Sequence, residues 1–373
     1  MSLRVLHLMA SGERGGGADH LVGLLPELEK LGVDCEAVTS AQGPLLTRLS
    51  SLGLRASSFE MMQARADPRI AWGLRRLVAE RHVDLVHCHG TRAAFYAAMA
   101  RLPFPMVYTV HGLAFRQHVA PWRRYALGAA EVLAVAGAQE LVSVSAADLA
   151  LLRRWHCLDK RRGTHIPNAV DAKRFFPGSN RVLREEWRAG ANTFVIGTVA
   201  RLVPQKAVEL LVAAAATLPR TLVVVAGDGP LRDELERQAH ETGAPVRFLG
   251  ARDDIPEFLR ALDLFVLPSR WEGEPIALIE AMASGLPCVA AANEGACELL
   301  EHNQTGWLVP VGDAGALAAA CLHLQGVPEE RQRLGGAARA KVASRSWAAA
   351  AAALLPVYRA AKEVQGRDGH EEP

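Results

Sequence analysis

The stretch HIPNAVDAKRFFPGSN, residues 165–180, interrupts a regular alternation of strand-like and helix-like segments. Its proline, asparagine and glycine residues favour turns over regular elements. Before it, short β-branched runs such as LRVLHLMA (3–10) alternate with helix-like segments, and after it the alternation starts again with TFVIGTVA (193–200). Such alternation predicts parallel sheets covered by helices. The sequence therefore predicts two α/β domains joined near residues 165–180.

Length and composition are compatible with two hydrophobic cores in a soluble, cytoplasmic protein. The chain has 373 residues, more than one core usually supports, and 50% of them are hydrophobic. The six cysteines are scattered without metal-ligand spacing, so we expect reduced thiols. No apolar run reaches the roughly 18 residues of a membrane span. The first residues predict a strand rather than a cleavable signal.

Charge is distributed unevenly along the chain. The net charge is only +2, but residues 1–177 carry 22 basic and 15 acidic side chains, so the excess of positive charge lies in the first half. A basic surface suits an anionic partner. The arginine pairs 75/76, 123/124 and 153/154 are dispersed and no nucleic-acid-binding module surrounds them, so we expect no nucleic acid. An ordinary solvated surface and docking on an anionic membrane both stay open.

A glycine-rich loop, SGERGGGADH (11–20), follows the first strand. Open α/β sheets bind ligands beyond the carboxyl ends of their strands, where such a loop lies. Glycines there let backbone N–H groups approach a phosphate or a sugar closely. The spacing does not match the dinucleotide fingerprint, and the second strand ends at VTS (38–40) without a carboxylate. We therefore expect no NAD. From the glycines alone, a ligand loop and a flexible turn remain equally compatible.

The loop after TFVIGTVA contains two cations, Arg201 and Lys206. Guanidinium and ammonium groups in one strand-to-helix loop can converge on phosphate oxygens with charge-assisted hydrogen bonds. The alternative is an ordinary solvated loop.

The stretch WEGEPIALIEAMASGLP (271–287) contains two glutamates eight positions apart. A helix is predicted to start near Pro275 or Ile276 and to stop at Gly285, which leaves Glu272 on the loop and Glu280 inside the helix. The free N–H groups of the helix start favour an anion between the two carboxylates. This order matches the hexose hydroxyls, diphosphate and ribose diol of a nucleotide sugar. Isolated glutamate pairs at this spacing are common, so the pattern depends on its context.

Six segments resemble, in order, motifs of the retaining GT-B glycosyltransferases of family 4, and the resemblance extends over nearly the whole chain. They are GERGGGADH (12–20), VYTVHGL (107–113), IPNAVDAKRFFPG (166–178), GTVARLVPQKAVELL (197–211), AGDGPLRDELE (226–236) and WEGEPIALIEAMASGLPCVA (271–290).

The resemblance implies an α/β fold of two Rossmann-like domains facing each other across a cleft. Residues 1–170 would form an acceptor-side domain and residues 171–345 a nucleotide-sugar-binding domain. A helix at 346–364 would cross back to the first domain, and a disordered tail would follow at 365–373.

The resemblance also implies an activity. The enzyme would move a hexosyl group from a UDP- or GDP-sugar to an acceptor hydroxyl, with retention of anomeric configuration and without a metal or cofactor. The acceptor would be a glycan or a lipid-linked glycan of cell-surface polysaccharide, lipopolysaccharide or glycolipid synthesis, at the cytoplasmic face of the inner membrane. A nucleotide-sugar epimerase of the same fold and a non-catalytic nucleotide-sugar-binding subunit are the alternatives.

Residue roles follow from the same resemblance. Glu272 would hold hydroxyls of the donor hexose, Glu280 would hold the ribose diol, and Arg201 and Lys206 would bind the diphosphate. His111 would face the donor sugar, and with Glu272, Arg201 and Lys206 it forms the predicted catalytic set. The other predicted substrate-binding residues are Gly16, Gly17, Arg252, Gly273, Glu274, Pro275, Ile276, Ala277 and Leu278.

Three residues depart from the family pattern. Glu274 stands where an apolar residue is common; it could contact a sugar hydroxyl or amino group, or favour the adjacent helix dipole, and we expect the dipole role. Ala207 and Ala169 replace glycines. Alanine does not adopt a positive φ at low cost, so we expect these two turns to differ in shape.

Two histidines, His87 and His89, share one face of a predicted strand and could indicate a metal site. The sequence offers no evident third ligand, so we expect a role in the core or at its rim and predict no metal.

Overall fold

The computed structural model describes two compact units formed by residues 3–63, 66–116, 120–155 and 163–368. Unit 1 comprises Met1–Ala169 together with Trp347–Pro373, and unit 2 comprises Val170–Ser346. The boundary after Ala169 lies within the segment that interrupts the sequence pattern. Each unit is built on one parallel sheet, which confirms the predicted pair of α/β domains.

The described residues of unit 1 form a seven-stranded sheet. In chain order the strands are β1 (Leu3–Met9), β2 (Val33–Thr39), β3 (Arg55–Ser58), β4 (Leu85–His89), β5 (Met106–Val110), β6 (Glu140–Ser143) and β7 (Thr164–His165). Neighbours in the order β3-β2-β1-β4-β5-β6-β7 are all parallel. The carboxyl ends of the strands therefore lie along one edge.

Helices cover both faces of this sheet. They are α1 (Gly16–Lys30), α2 (Leu45–Ser51), α3 (Pro68–Ala79), α4 (Thr91–Ala100), α5 (Pro121–Gly137) and α6 (Ala146–Arg154), with a 3-10 turn at Ala114–Arg116. Leu6 and Leu8 of β1 belong to the core under α3, α4 and α5, whereas Val5 and Met9 belong to the core under α1 and α2. Because both faces are buried, β1 is an apolar run rather than a polar–apolar alternation.

Unit 2 has a six-stranded parallel sheet. Its strands are β8 (Phe194–Val199), β9 (Thr221–Ala226), β10 (Val246–Phe248), β11 (Leu264–Leu267), β12 (Cys288–Ala291) and β13 (Trp307–Val309). The order β10-β9-β8-β11-β12-β13 is that of a Rossmann sheet, in which the first strand lies in the middle and the chain winds outward in both directions.

The helices of unit 2 also lie on both faces of its sheet. They are α7 (Arg181–Glu186), α8 (Val208–Ala215), α9 (Arg232–Thr242), α10 (Ile255–Arg260), α11 (Ile276–Ala283), α12 (Glu294–Leu299), α13 (Ala314–Gly326) and α14 (Pro328–Val342), with a 3-10 turn at Pro204–Lys206. Helix α11 begins directly after Pro275, as predicted, and Gly285 follows its end with a φ of +73°. Helices α11 and α14 share one core, and α8 and α13 share the other.

The last helix, α15 (Trp347–Asp368), packs on unit 1. Its Ala351, Leu354 and Tyr358 lie in the same core as the leucines of α1. The ring of Trp347 packs directly against the backbone of Gly23 in α1, because a Cβ at residue 23 would lie only 2.2 Å from a ring carbon.

The end of α15 corrects one prediction. Residues 365–368, which we assigned to a disordered tail, continue the helix. The sequence has no proline between Pro356 and Pro373, so each backbone N–H can still donate to the preceding turn. The rest of the predicted tail, residues 369–373, lies outside the described residues.

The described residues contain neither a membrane-crossing helix nor a disulfide bond. Among the described residues, no helix combines the length and the apolar character that a bilayer crossing needs. The five described cysteines, at 35, 88, 288, 297 and 321, are free thiols. Cys157 lies outside the described residues.

A buried carboxyl group lies in the core of unit 1. Glu131 of α5 is 1% exposed. Its Oε1 accepts a hydrogen bond from the Tyr108 hydroxyl and its Oε2 accepts one from the Thr91 hydroxyl, both at 2.8 Å. Burial raises the pKa of Glu131 to about 7, although the two hydrogen bonds act in the opposite direction. Because the unfolded chain ionises this group first, stability is lost as the pH rises from about 4.5 to about 7.

We expect Glu131→Gln to stabilise the protein by about 2–3 kcal/mol at pH 8 and by less than about 1 kcal/mol at pH 5, because glutamine is neutral at both pH values. Urea unfolding at the two pH values measures the difference. The exposed Glu80→Gln serves as the control and should change stability equally little at both. A gain from Glu131→Gln that does not depend on pH would contradict the prediction.

Candidate functional site

Three loops of unit 2 meet at the carboxyl edge of its sheet. They follow β8, β9 and β11 and comprise residues 200–207, 227–230 and 268–275. Because neighbouring parallel strands end at one edge, these loops lie beside one another, at the place where open α/β sheets bind ligands.

The turn after β9 supports the loop that contains Arg201. The backbone N–H of Leu202 donates to the carbonyl of Asp228 at 2.9 Å. The neighbouring Gly227 has a φ of +143°, and a Cβ there would lie 1.9 Å from the carbonyl oxygen of Ala200, so only glycine fits. Arg201 itself is exposed. Among the described residues, no hydrogen-bond or ion-pair partner contacts its guanidinium group, which leaves this cation available to an anion.

Lys206 and Glu272, predicted from separate motifs, contact each other. The Nζ of Lys206 lies 2.5 Å from Oε1 of Glu272, and the two side chains are 20% and 7% exposed. The side-chain amide of Gln205 donates to the Trp271 carbonyl at 2.9 Å and to Oε2 of Glu272 at 3.4 Å. Both oxygens of Glu272 are thus oriented by the neighbouring loop.

Arg270, which does not stand out in the sequence, joins the same two loops. Its backbone N–H donates to the Gln205 carbonyl at 2.8 Å, and its guanidinium group donates to the Pro204 carbonyl at 2.7 Å and to Oε1 of Glu209 at 2.6 Å. These contacts hold the Lys206 loop against the Glu272 loop. An arginine directly after the strand-end serine at 269 was the signal available in the sequence.

Helix α12 holds the Glu272 loop from another side. Asn293 donates from its side-chain amide to the Ser269 carbonyl at 2.8 Å and accepts from the Ala296 N–H at 3.0 Å. A Cβ at Gly295 would lie 2.3 Å from the Gly273 carbonyl oxygen. The close approach therefore requires glycine at 295, a requirement that was not recognised from the sequence.

Among the described residues, no side chain caps the start of α11, and the first helical hydrogen bond runs from the Leu278 N–H to the Pro275 carbonyl at 3.1 Å. The N–H groups of Ile276 and Ala277 precede that bond and suit an anion. Glu280 lies about 6 Å further along the helix axis and is partly exposed.

Glu274 and Arg252 have partners that were not evident in the sequence. The side chain of Glu274 is fully buried and forms an ion pair with the guanidinium group of Arg345. It therefore presents no accessible surface to a ligand. The guanidinium group of Arg252 donates to both carboxylate oxygens of Asp254, at 2.8 and 2.5 Å, and this hydrogen bonding lowers the pKa of Asp254.

Ala207 corrects a second prediction. It adopts a φ of +50°, the left-handed conformation that a glycine would adopt, rather than a differently shaped turn. Its side chain is completely buried at the start of α8. Burial of the methyl group offsets a conformational cost of about 1 kcal/mol. Ala169 is not among the residues with positive φ.

In unit 1, the glycine-rich loop leads directly into α1. Gly15 is the N-cap, no side chain in the described part of the chain caps the helix, and the Asp19 N–H makes the first bond to the Gly15 carbonyl. The N–H groups of Gly16 and Gly17 are therefore not used within the helix. A Cβ at Gly12 would lie 2.2 Å from the Gln42 carbonyl oxygen, so the loop packs against the segment after β2.

Five histidines cluster at the same edge of unit 1. They are His7, His20, His87, His89 and His111. Burial lowers the pKa of His7 to about 3 and that of His20 to about 4, and it lowers the pKa values of the other three well below the usual range. All five rings are therefore neutral near pH 7. A third histidine, which was not evident in the sequence, lies near His87 and His89, because β1 places His7 beside them and α1 places His20 beside His89.

Known proteins resemble this chain along both units. The sequence profile described as Glycosyltransferase Family 4 matches residues 14–174, and the profile described as Glycosyl transferases group 1 matches residues 179–341.

Two curated relatives are similar in sequence. A UDP-Gal:alpha-D-GlcNAc-diphosphoundecaprenol alpha-1,3-galactosyltransferase of Escherichia coli is 32% identical over 257 residues, which cover 64% of this chain and 66% of the relative. A D-inositol 3-phosphate glycosyltransferase of Geodermatophilus obscurus is 30% identical over 316 residues, which cover 76% of this chain and 67% of the relative.

A solved structure, Anabaena Alr3699/HepE in complex with UDP-glucose, has the same fold. It superposes with a TM-score of 0.85 at 24% identity and covers 96% of this chain and 99% of its own.

Helix α14 fixes the end of α11 through a glycine. A Cβ at Gly335 would lie 2.2 Å from the Gly285 carbonyl oxygen, whereas a Cβ at the exposed neighbour Gly336 would meet nothing within 4 Å. The two positions lie in the same turn of the same helix. Alanine substitutions at the two positions therefore distinguish the effect of close packing on stability from the effect of helix propensity.

We expect Gly335→Ala to lower the free energy of unfolding by about 1–3 kcal/mol through overpacking, and Gly336→Ala to raise it by about 0.5–1 kcal/mol through helix propensity. Urea unfolding of the two variants measures both effects. Equal stability of the two variants would refute the packing assigned to Gly335.

Proposed function

Because the chain belongs to the glycosyltransferases of family 4 and has the GT-B fold, we propose that it transfers a hexosyl group from a UDP- or GDP-sugar to an acceptor hydroxyl with retention of anomeric configuration. The observation that carries this proposal is the contact between Lys206 and Glu272 in unit 2. It joins a cation suited to phosphate and a carboxylate suited to sugar hydroxyls at the carboxyl edge of a Rossmann sheet.

The donor is assigned to unit 2. The exposed guanidinium group of Arg201, the ammonium group of Lys206 and the uncapped start of α11 are proposed to bind the diphosphate. Glu272 accepts hydrogen bonds from hexose hydroxyls, and Glu280 accepts them from the ribose diol. Gly273, Pro275, Ile276, Ala277 and Leu278 form the backbone between these two carboxylates.

Glu274 and Arg252 are assigned different roles, one in supporting the loop and one beside the base. Glu274 supports the loop through Arg345 and is not assigned to the donor. Arg252 is proposed to lie beside the base while Asp254 holds it.

Catalysis depends on the negative charge that develops on the departing phosphate oxygen. Preorganised cations and helix dipoles aimed at that oxygen lower the barrier, typically by about 3–4 kcal/mol for one donor group. The bond between the anomeric carbon and the phosphate oxygen breaks, a bond to the acceptor oxygen forms on the same face, and the acceptor proton passes to the departing phosphate. None of these steps requires a metal.

From unit 1, we propose that His111 contacts the donor sugar and that the α1 start at Gly16 and Gly17 assists at the diphosphate. The pKa of His111 is lowered by burial, so the ring is neutral near pH 7. A neutral imidazole can donate a hydrogen bond to a sugar hydroxyl without adding positive charge.

The acceptor is proposed to be a glycan or a lipid-linked glycan of cell-surface polysaccharide, lipopolysaccharide or glycolipid synthesis. This rests on the E. coli relative, whose name specifies a diphosphoundecaprenol-linked sugar as the acceptor. The donor is identified by thermal-shift measurements against a panel of UDP- and GDP-hexoses, since a ligand that binds only the folded state raises the melting temperature.

We expect Glu272→Ala to reduce the rate of transfer by about 100-fold or more, because the carboxylate acts on the sugar as charge develops. Lys206→Ala should raise the donor Kd by about 10- to 100-fold, because it removes a charged hydrogen bond to phosphate. Initial rates and calorimetric titration of donor measure the two effects.

Glu301→Gln is the matched control, since this exposed carboxylate pairs with Lys341 elsewhere in unit 2. It should behave as the wild type. Wild-type transfer by Glu272→Ala would overturn the assigned role. Formation of epimerised nucleotide sugar without an acceptor would indicate an epimerase instead of a transferase. Donor binding without turnover, when a membrane extract supplies acceptors, would indicate a non-catalytic nucleotide-sugar-binding subunit.

One face of unit 1 is proposed to dock on an anionic membrane. Helices α3 and α5 both pack against α4 and therefore lie on the same side of the sheet. They expose Trp72, Trp122 and Tyr125, which are 67%, 67% and 77% accessible, together with Arg76 and Arg124. Exposed tryptophan and tyrosine beside arginine suit the headgroup region, where aromatic rings insert and cations meet anionic lipid.

We expect the protein to co-sediment with vesicles containing anionic lipid and to bind purely zwitterionic vesicles at least about 10-fold less, because each basic residue near the surface contributes about 1 kcal/mol. Trp122→Ser combined with Tyr125→Ser should weaken the binding. Val182→Ser, which changes an exposed apolar residue of unit 2, should not. Equal binding to both kinds of vesicle would remove the docking proposal.

A further inference from the structure

Three histidines of unit 1 have the arrangement of a metal site. His20 of α1, His89 at the end of β4 and His111 directly after β5 each offer a ring nitrogen within 4.8 Å of the other two. Nδ1 of His89 and Nε2 of His111 are 3.2 Å apart and share a hydrogen bond, which a bound ion would replace. In a tetrahedral zinc site with Zn–N bonds of about 2.0–2.1 Å, neighbouring nitrogens lie about 3.4 Å apart. The first pair needs almost no movement, and His20 needs to move by at most about 1.4 Å.

His20 supplies a nitrogen that has no partner. Its Nδ1–H donates to Oδ1 of Asn168 at 2.9 Å, so Nε2 carries the lone pair. The residue is buried, and among the described residues nothing hydrogen-bonds to this Nε2. A buried polar atom without a partner costs about 1–3 kcal/mol and is rare in folded proteins. A bound ion would satisfy it.

The second ring nitrogens of His20 and His89 have the contacts that metal-binding histidines usually make. Metal ligands of this type are oriented by a hydrogen bond from the second ring nitrogen. The Nδ1–H of His20 donates such a bond to Asn168. Nε2 of His89 lies 3.1 Å from Nδ1 of His7 and makes the corresponding contact for His89. His111 is partly exposed, which gives an ion and a water molecule access from solvent.

We propose that His20, His89 and His111 bind a divalent transition-metal ion of the zinc class, with a fourth coordination position open to water. Three neutral imidazoles and one open position suit zinc, and the same nitrogen set also accepts Co²⁺, Ni²⁺ or Cu²⁺. The ion would occupy Nε2 of His111. Since we assign His111 to the donor sugar, the bound ion would inhibit transfer rather than support it.

A second histidine triad, His7, His87 and His89, is less suitable. Both ring nitrogens of His87 already have partners, the Tyr358 hydroxyl at 2.8 Å and the Thr109 hydroxyl at 2.6 Å. All three residues are buried. A metal there would have to break one hydrogen bond of His87, whichever nitrogen it used, and none of the three residues is exposed to solvent.

The test is metal binding by the full-length protein, measured without donor so that the result does not depend on the proposed transfer reaction. The protein is stripped with a chelator and then titrated with Zn²⁺ in a calorimeter, and with Co²⁺ under visible spectroscopy. We expect saturable binding of a single ion per chain, with a Co²⁺ spectrum of tetrahedral or five-coordinate nitrogen ligation.

Variants locate the site. His20→Ala, His89→Ala and His111→Ala should each weaken Zn²⁺ binding by at least about 100-fold, and Asn168→Ala should weaken it by about 10-fold. His87→Gln, which alters only the second triad, and His240→Ala, an exposed histidine of unit 2, should bind Zn²⁺ as the wild type does. The melting temperature of each metal-free variant reports whether it has folded, and the partly exposed His111 is the substitution that unit 1 should tolerate best.

Absence of saturable Zn²⁺ binding by the wild-type protein would overturn the proposal. Unchanged binding by folded His111→Ala would also overturn it, and loss of binding in His87→Gln alone would move the site to the second triad.

Discussion

The contact between Lys206 and Glu272 depends on a constraint of parallel sheets, namely that neighbouring strands deliver their following loops to one edge. The two residues are 66 positions apart in sequence. Arg270 joins their loops through two backbone carbonyls and Glu209, and Gln205 orients the second carboxylate oxygen. Side chains held in this way lose little further freedom when a ligand binds, so this edge is largely formed before any ligand arrives.

Close backbone contact is the second common feature of this edge. At Gly227, Gly295 and Gly335 a Cβ would lie within 2.3 Å of a carbonyl oxygen of a neighbouring segment. Each glycine brings a supporting element to its loop or helix at a distance that no other residue permits. The positions of Arg201, Glu272 and the end of α11 thus depend on residues that are not expected to touch a ligand themselves.

The sequence was sufficient to predict both parallel sheets, the interruption between them and the start of α11, because apolar periodicity and proline and glycine signals are local. It did not predict β3, whose residues RASS are neither β-branched nor apolar enough to stand out and which lies at the sheet edge. The partners of Glu274 and the third histidine beside His87 and His89 come from distant parts of the chain, so spacing could not reveal them. The prediction for Ala207 was wrong for a different reason. Burial of its methyl group outweighed the local preference of alanine for negative φ.

Unit 1 is discontinuous in the chain, because α15 supplies part of its core and the Tyr358 hydroxyl reaches His87. On a ribosome, the first 169 residues therefore emerge without the segment that covers α1. Unit 2 is synthesised entirely in the meantime, and at 5–20 residues per second this takes on the order of 10–40 s. During that interval the leucines of α1 lack their final apolar cover, so the nascent protein would be exposed to chaperones and proteases until its last helix is released.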